Sequence, residues 1–170
     1  EGGTFDNIIM YGVVADHSAA QGIFSRGDSQ YRTLNGPPDT NIALVNIAMF
    51  GLGGYNSSWE KSASHLLLWH ITQIENNFNI VDEPTGSPPT TIRNLSIRNC
   101  VFPRVGFNAS GGFISSTIDN NHFVDARNSY GSRFTAGGML TDLFADPTAG
   151  VYCPRVGGPL YYRVDSLVVP

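Results

Sequence analysis

The sequence predicts an all-β fold, namely a right-handed parallel β-helix of about five short rungs, with inserted loops and an irregular C-terminal segment. Three observations predict this fold. The composition favours turns over helices, a five-residue strand pattern recurs along the chain, and a polar corner follows each copy of that pattern.

The composition is poor in charge and rich in turn-forming residues. The chain has 170 residues, enough for one domain with its own core. Charged residues make up 14%, against about 25% in a typical soluble domain, and Asn, Ser, Thr and Gly take their place. The net charge is −4 without a basic cluster, so nucleic acid is not an expected partner. No apolar run reaches the roughly 20 residues that a membrane span needs.

The recurring pattern starts with a polar residue and carries apolar residues at its second and fourth places. It occurs at 7–11, 41–45, 65–69 and 94–98, with a degraded copy at 115–119. Alternation with a period of two indicates strands. The fourth places form one predicted column: Met10, Leu44, Leu68, Ile97 and Ile118. Their steps of 34, 24, 29 and 21 residues favour a β-solenoid with inserted loops over propeller blades of about 40 residues.

A polar corner follows each predicted strand. The segments 99–102 and 120–123 match closely, and Gly12, Asn46 and His70 hold the same corner in the earlier copies. Asn suits such a corner because it tolerates left-handed backbone and its amide bonds the backbone or stacks in ladders. His70 is therefore predicted to be a corner residue rather than a catalytic one.

These corner segments resemble a known family. Ile97-Arg98-Asn99-Cys100-Val101-Phe102 and Ile118-Asp119-Asn120-Asn121-His122-Phe123 resemble the rung motif of pectate-lyase-like right-handed β-helix proteins. The stretch 144–160 is similar to the segment that closes many bacterial secreted or surface members, which usually show Ser where Gly158 stands. The resemblance covers residues 5–165 and implies an extracellular or cell-surface protein.

Enzymes of that family use clustered carboxylates that bind Ca²⁺ or act as an acid–base pair. The best local match is Asp16-His17, which resembles the Asp-His segment of pectate lyases, with Arg26 and Asp28 close behind. However, the usual Trp before the Asp is absent, and Gln21 replaces an acid that helps to hold calcium. The residues favour a hydrogen-bonded turn here. No metal or cofactor is expected, except for Ca²⁺ under the lyase alternative.

The outward strand positions are apolar in the first three copies and polar in the last two. The apolar candidates for ligand or partner binding are Ile9, Tyr11, Leu67 and Trp69. A solvated face should be polar throughout, so a cover is expected over these copies, from a loop, a missing part of the chain, a partner or a sugar. Tyr11 and Trp69 are the residues that would stack on sugar rings.

The N-terminal end of the predicted solenoid has no capping helix in the sequence. Only Glu1–Thr4 precede the first strand. We expect either an upstream continuation of the same protein or edge-to-edge pairing with another copy, which would build a filament.

The cysteines and sequons leave alternatives open. Cys100 and Cys153 form either one disulfide or two separate thiols. Three Asn-X-Ser sequons, at Asn56, Asn94 and Asn108, are glycosylation candidates in a glycosylating cell.

The predicted organisation is a single domain, with rungs over 1–126 and a closing segment over 127–170 packed on the same solenoid. The favoured function is an extracellular structural or adhesive β-solenoid that contacts carbohydrate and self-associates. The alternatives are a polysaccharide lyase or glycoside hydrolase, or a fragment of one, acting on an acidic polysaccharide, and the receptor-binding β-helix of a phage tailspike.

Overall fold

The structure is a computed structural model that describes residues 5–16, 24–25, 38–51, 57–59, 61–81, 91–108, 111–125, 127 and 131–160. The described part is almost entirely β-structure. In chain order its elements are β1 (Asp6–Tyr11), β2 (Val14–Asp16), β3 (Phe24–Ser25), β4 (Asp39–Phe50), β5 (Ser57–Trp59), β6 (Ala63–Gln73), β7 (Asn77–Val81), β8 (Ile92–Arg98), β9 (Val101–Phe102), β10 (Arg104–Asn108), β11 (Phe113–Ile114), β12 (Thr117–Asp119), β13 (His122–Phe123), β14 (Thr135–Ala136), α1 (Leu140–Leu143), β15 (Phe144–Asp146), a 3₁₀ turn (Pro147–Ala149) and β16 (Val151–Pro154).

Two parallel sheets contain fourteen of these strands. Sheet A has ten strands, and sheet B is formed by β3, β5, β7 and β10 in the order β10-β7-β5-β3. The chain alternates between the sheets, and each strand pairs in parallel with the corresponding strand of the next copy. Strands β15 and β16 form a separate antiparallel pair. Among the described residues, no helix is long and apolar enough to cross a membrane.

The predicted strand register is confirmed. Met10 pairs with Leu44, Leu44 with Leu68, Leu68 with Ile97, and Ile97 with Ile118. Since side chains alternate across a strand, this register sends the column of fourth places to one side of sheet A in all five copies. Leu44, Leu68 and Ile97 are buried in the main core together with Phe78 and Ile80 of sheet B. The core therefore lies between the two sheets.

Each copy bends at two left-handed corners, five residues apart. The first corner column has φ of 50–58° and consists of Asn7, Asn41, His65, Asn94 and Ser115. The second corner column has φ of 46–67° and consists of Gly12, Asn46, His70, Asn99, Asn120 and Arg133. The second column confirms the predicted corners, whereas the left-handed backbone of the first column was not predicted. We call the strip between the columns face 1 (8–11, 42–45, 66–69, 95–98, 116–119) and the strip after the second column face 2 (13–16, 47–50, 71–74, 100–103, 121–124).

A short sixth copy adds to the five that the sequence predicts. Ser132 bridges Asp119, and β14 pairs with β13. Arg133 then falls beside Asn120 in the second corner column, and its guanidinium forms an ion pair with Asp119. The sixth copy thus continues the stack along the second corner and the start of face 2.

A buried ion pair joins the first three copies. The Asp39 carboxylate is fully buried and accepts hydrogen bonds from Phe5 N at 2.9 Å and from Lys61 Nζ at 2.8 Å. Because one carboxylate bonds groups from the copies before and after it, this pair fixes the spacing of the stack where β4 begins. A buried carboxylate without such partners would be strongly unfavourable.

The segment 140–160 packs on the outside of face 2. Leu143, Phe144 and Leu160 form a second buried cluster with Ile74 and Val101. The ring of Tyr152 lies 4.5 Å from that of Phe50, measured between centroids. This covering explains why Val101 and His122 are buried although their register places them in the outward column of face 2.

Candidate functional site

The first candidate site is the free edge of β1. β1 lies at the end of sheet A and pairs on one side with β4, and none of the other described strands pairs with it. An unpaired strand edge offers N–H and C=O groups to another strand. The large apolar side chains exposed around this edge are Phe5, Ile9, Met10, Tyr11 and Val14. The edge therefore combines open backbone hydrogen-bonding groups with an apolar surface.

Met10 shows that the main core reaches this end of the stack. It belongs to the same column as Leu44 and Leu68, which are 2% and 0% exposed, yet Met10 itself is 39% exposed. The column is apolar at every position, so the difference arises from stacking rather than from residue type. A further strand on β1 would bury Met10 as the later copies bury Leu44.

The outward candidates of face 1 separate into exposed and covered residues. Ile9 is 75% exposed and Tyr11 is 68% exposed, so both are available to a partner. Trp69, two copies along the same column as Tyr11, is only 7% exposed. The Trp69 ring is thus largely covered, with the Arg98 guanidinium 5.9 Å from its centroid, and this burial disfavours the predicted stacking on a sugar. Leu67 is half-buried.

A hydrogen-bonded ladder runs along the second corner column. Asn120 Nδ2 donates to Asn99 Oδ1 at 2.6 Å, and Asn99 Nδ2 lies 3.2 Å from His70 Nε2. His70 Nδ1 in turn lies 3.0 Å from Asn46 Oδ1. Every amide donates toward the earlier copy, so His70 continues the ladder only with its proton on Nδ1 and a lone pair on Nε2. The predicted corner ladder is confirmed, and His70 belongs to it.

Burial lowers the pKa of His70 below its ordinary value. The ladder acts in the same direction, because a proton on Nε2 would face the amide donor of Asn99. His70 is therefore held as a neutral imidazole, which suits a hydrogen-bonding role.

A buried amide completes the corner on the inside. Asn121 is fully buried, accepts from Cys100 N at 2.9 Å and donates to Ile97 O at 3.0 Å. The left-handed turn at Asn99 takes these backbone groups out of the strand ladder, so the side chain replaces the missing backbone bonds.

The second candidate site is a cavity of about 210 Å³ between face 2 and the segment 140–160. The chain brings together residues far apart in sequence around it. Its lining consists of His70, Thr72, Asn99, Cys100, Val101, Asn120, His122, Phe144, Tyr152, Pro154 and Leu160. The sequence predicts Cys100 only as a disulfide candidate and His70, Asn99 and Asn120 only as corners, and it does not indicate Thr72, Phe144 or Tyr152 as site residues. The polar outward position of Thr72 and the aromatic residues of the closing segment were the available signals.

The catalytic candidates fall largely outside the described residues. His17, Arg26 and Asp28 lie outside them, and only the backbone of Asp16, at the end of β2, is described. In the part of the chain that the structure describes, no three His, Cys, Asp or Glu side chains gather to hold a metal ion. Asp125, which the sequence places near His122, instead binds Arg127 through a guanidinium contact of 2.6 Å.

The two cysteines are free thiols in different environments. Cys100 is buried in the main core, where its Sγ donates to Arg98 O at 3.1 Å and burial raises its pKa to about 12. Cys153 is exposed on β16. The alternative of two separate thiols is therefore the one that the structure shows.

The sequons lie in different surroundings. Asn94 is exposed in the first corner column, but its Nδ2 lies 3.1 Å from His65 Nε2. Asn108 ends β10, where only its backbone is described, and Asn56 lies outside the described residues. Glycosylation of these positions stays a prediction.

No family model, curated protein sequence or solved structure matches this chain. The geometry of the two candidate sites is therefore the basis for assigning a function.

Proposed function

We propose that this chain is a right-handed parallel β-helix of the pectate-lyase-like type, and that it is an extracellular structural module that self-associates through the free edge of β1. The β-helix is supported by the alternation of the chain between two parallel sheets and by the stacked corners. Right-handedness follows from the general rule that parallel crossover connections are right-handed in about 98% of cases.

The observation that carries self-association is the exposed apolar surface on an open edge. Met10 is 39% exposed at the β1 edge, whereas Leu44 and Leu68 of the same column are buried in the middle of the stack, and the outward-facing Ile9 is 75% exposed. Burying an isoleucine side chain stabilises by about 1.5–3 kcal/mol. Backbone hydrogen bonds along β1 would also fix the relative orientation of the two copies, as in strand addition at other sheet edges.

Head-to-tail stacking into a filament, as the sequence predicts, would join β1 of one copy to the other end of sheet A in the next copy. The described strand at that end is β14, which pairs with β13 on one side and has two residues against six in β1. We therefore favour a pairing of like ends, in which both edges have the same length, and the filament stays a prediction.

Antiparallel pairing of two β1 strands around a two-fold axis fits the edge. Asn7 and Gly12 bound the β1 part of face 1, both with left-handed backbone and five residues apart. Centring the axis on Ile9 places Ile9 opposite its own counterpart and Ile8 opposite Met10 of the second copy. Apolar residues then meet on both sides of the joined sheet, and the interface is self-complementary, as two-fold symmetry requires.

The test is the solution mass of the chain and of two matched variants. We expect a dimer for the wild-type chain, a monomer for Ile9→Asp, because a charge would lie on the two-fold axis, and a dimer for the control Ile114→Asp. Ile114 is also an exposed apolar residue, but it lies in β11 at the opposite end of the stack.

Sedimentation equilibrium over a wide concentration range measures these masses, with circular dichroism to verify folding. A monomeric wild-type chain would refute self-association. Dissociation of Ile114→Asp to the same extent as Ile9→Asp would point to head-to-tail stacking and overturn the two-fold arrangement.

A further inference from the structure

The cavity between face 2 and the segment 140–160 lies away from the β1 edge, and no residue of β1 lines it. It is bounded by different kinds of side chain on its two sides. Thr72, Asn99 and Asn120 supply hydroxyl and amide groups from sheet A and its corner. Phe144, Tyr152, Pro154 and Leu160 supply an apolar wall from the closing segment.

The size of the cavity limits what it can hold. Its volume of about 210 Å³ is below the ~300–1,000 Å³ of pockets for drug-sized ligands. One small ring fits this volume, whereas an extended chain would have to leave through the open side.

Among the residues that the structure describes, no Asp, Glu, Lys or Arg side chain lines the cavity. Burial and the ladder hold His70 neutral, and burial keeps the Cys100 thiol protonated by raising its pKa to about 12. A charged ligand would therefore lose its hydration without gaining an Asp, Glu, Lys or Arg partner among the described lining residues. The environment favours an uncharged ligand.

The polar side retains hydrogen-bonding capacity. Each primary amide offers two N–H donors and two oxygen lone pairs. In the ladder, Asn99 uses one N–H toward His70 and one lone pair toward Asn120. One donor and one acceptor of Asn99 remain, beside the hydroxyl of Thr72, which both donates and accepts.

The apolar side contains aromatic rings fixed in place. Tyr152 contacts Phe144 edge-on, with centroids 5.6 Å apart, and its other neighbour is Phe50. Two packed neighbours hold the Tyr152 ring rigid, so it can contact a ligand at little cost in side-chain entropy.

We propose that this cavity binds one neutral pyranose unit of a carbohydrate. A pyranose ring has an apolar face of C–H groups, which matches the Tyr152 side, and a rim of hydroxyls, which matches Thr72 and Asn99. Because the described lining includes no Lys or Arg, it favours this ligand over a uronate, the unit of the acidic polysaccharides considered from the sequence.

The test is a nuclear magnetic resonance titration of the ¹⁵N-labelled chain with the methyl glycosides of glucose, galactose and mannose, and in parallel with galacturonate. We expect at least one methyl glycoside to shift the signals of Thr72, the Asn99 side chain and the His70 ring in a saturable manner. Galacturonate should shift them much less.

A matched pair of variants locates the binding. Thr72→Val keeps the side-chain shape but removes the hydroxyl, and loss of one hydrogen bond should weaken binding about two- to tenfold. Thr117→Val, the same change at an exposed position of β12, should leave the affinity unchanged.

Three results would overturn the proposal: no glycoside shifts the cavity signals, galacturonate shifts them as strongly as the neutral sugars do, or Thr72→Val binds as tightly as Thr117→Val. The titration of the wild-type chain with neutral sugars and galacturonate tests the proposal without any variant, so the proposal stays testable if a variant folds poorly.

Discussion

Asn, Gly and His recur at the second corner because the backbone there is left-handed. Asn99 has φ of 54° and also takes part in two bonds of the ladder. Left-handed backbone costs an ordinary L-residue about 1–2 kcal/mol, which glycine avoids and which Asn offsets by hydrogen bonding. The residue type at this corner is therefore restricted both by the left-handed backbone and by the hydrogen bonds of the side chain.

Two substitutions of Asn99 separate these contributions. Asn99→Gly removes the ladder bonds but keeps the backbone relaxed, so we expect it to lose about 1–3 kcal/mol of unfolding free energy. Asn99→Ala should lose about 1 kcal/mol more, because alanine also strains the left-handed corner. Urea unfolding of the two variants measures the difference. If Asn99→Ala were the more stable variant, the account of the corner would be wrong.

His70 gives the ladder a dependence on pH. Burial lowers its pKa in the folded chain, so below the ordinary value of about 6.5 the unfolded chain binds a proton that the folded chain does not. The contribution to stability is complete above that pH and is lost as the pH falls through it. We expect the unfolding free energy to decrease between about pH 7.5 and 5.5.

The control is His70→Asn, which cannot titrate and restores the residue found at this corner in three other copies. Its unfolding free energy should decrease less over the same pH range than that of the wild-type chain. Parallel pH profiles of the two proteins would show that His70 does not carry the effect.

At the scale of elements, the segment 140–160 determines which part of sheet A is exposed to solvent. It covers face 2 through Leu143, Phe144 and Leu160, and it encloses the cavity.

Gly158 lies where this segment turns tightly. A Cβ atom there would come within 2.7 Å of Asp142 O and 3.0 Å of Arg155 O.

This crowding explains the departure from the Ser expected by resemblance at Gly158. Gly158→Ser should destabilise the chain by about 1–3 kcal/mol, as overpacking does elsewhere, while Ala145→Ser on the exposed side of β15 should have little effect. Thermal unfolding of both variants tests this. An unchanged midpoint for Gly158→Ser would mean that the turn relaxes freely.

The sequence predicted the elements that repeat and missed those that do not. Alternating apolar residues indicated the register of face 1, and Asn at the same place indicated the second corner. The sixth copy escaped prediction because Arg133 replaces the corner Asn and only 13 residues separate it from Asn120. The burial of Val101 and His122 also escaped, because it depends on the non-repeating segment 140–160.

At the scale of the whole molecule, the two ends of the described stack differ. The C-terminal end carries the sixth copy, with the Asp119–Arg133 ion pair, whereas β1 leaves an apolar core column partly exposed. At the other end of sheet A the described strand β14 has two residues against six in β1, so head-to-tail stacking would leave most of the β1 edge unpaired by β14. Joining like ends buries the open columns of both copies in a closed dimer, which is the central claim of the proposed function.

Oxidation of an Ile9→Cys variant tests that claim most directly. In a Cys153→Ser background the remaining native thiol, Cys100, is buried. The two-fold pairing places the introduced thiol opposite its counterpart in the second copy, at a cross-strand Cα separation of about 4.5–5.5 Å, which a disulfide can span. We predict a covalent dimer for Ile9→Cys on mild oxidation and far less for the control Tyr11→Cys, because Tyr11 lies opposite Asn7 of the second copy. Equal cross-linking of the two variants, or none in either, would contradict the account.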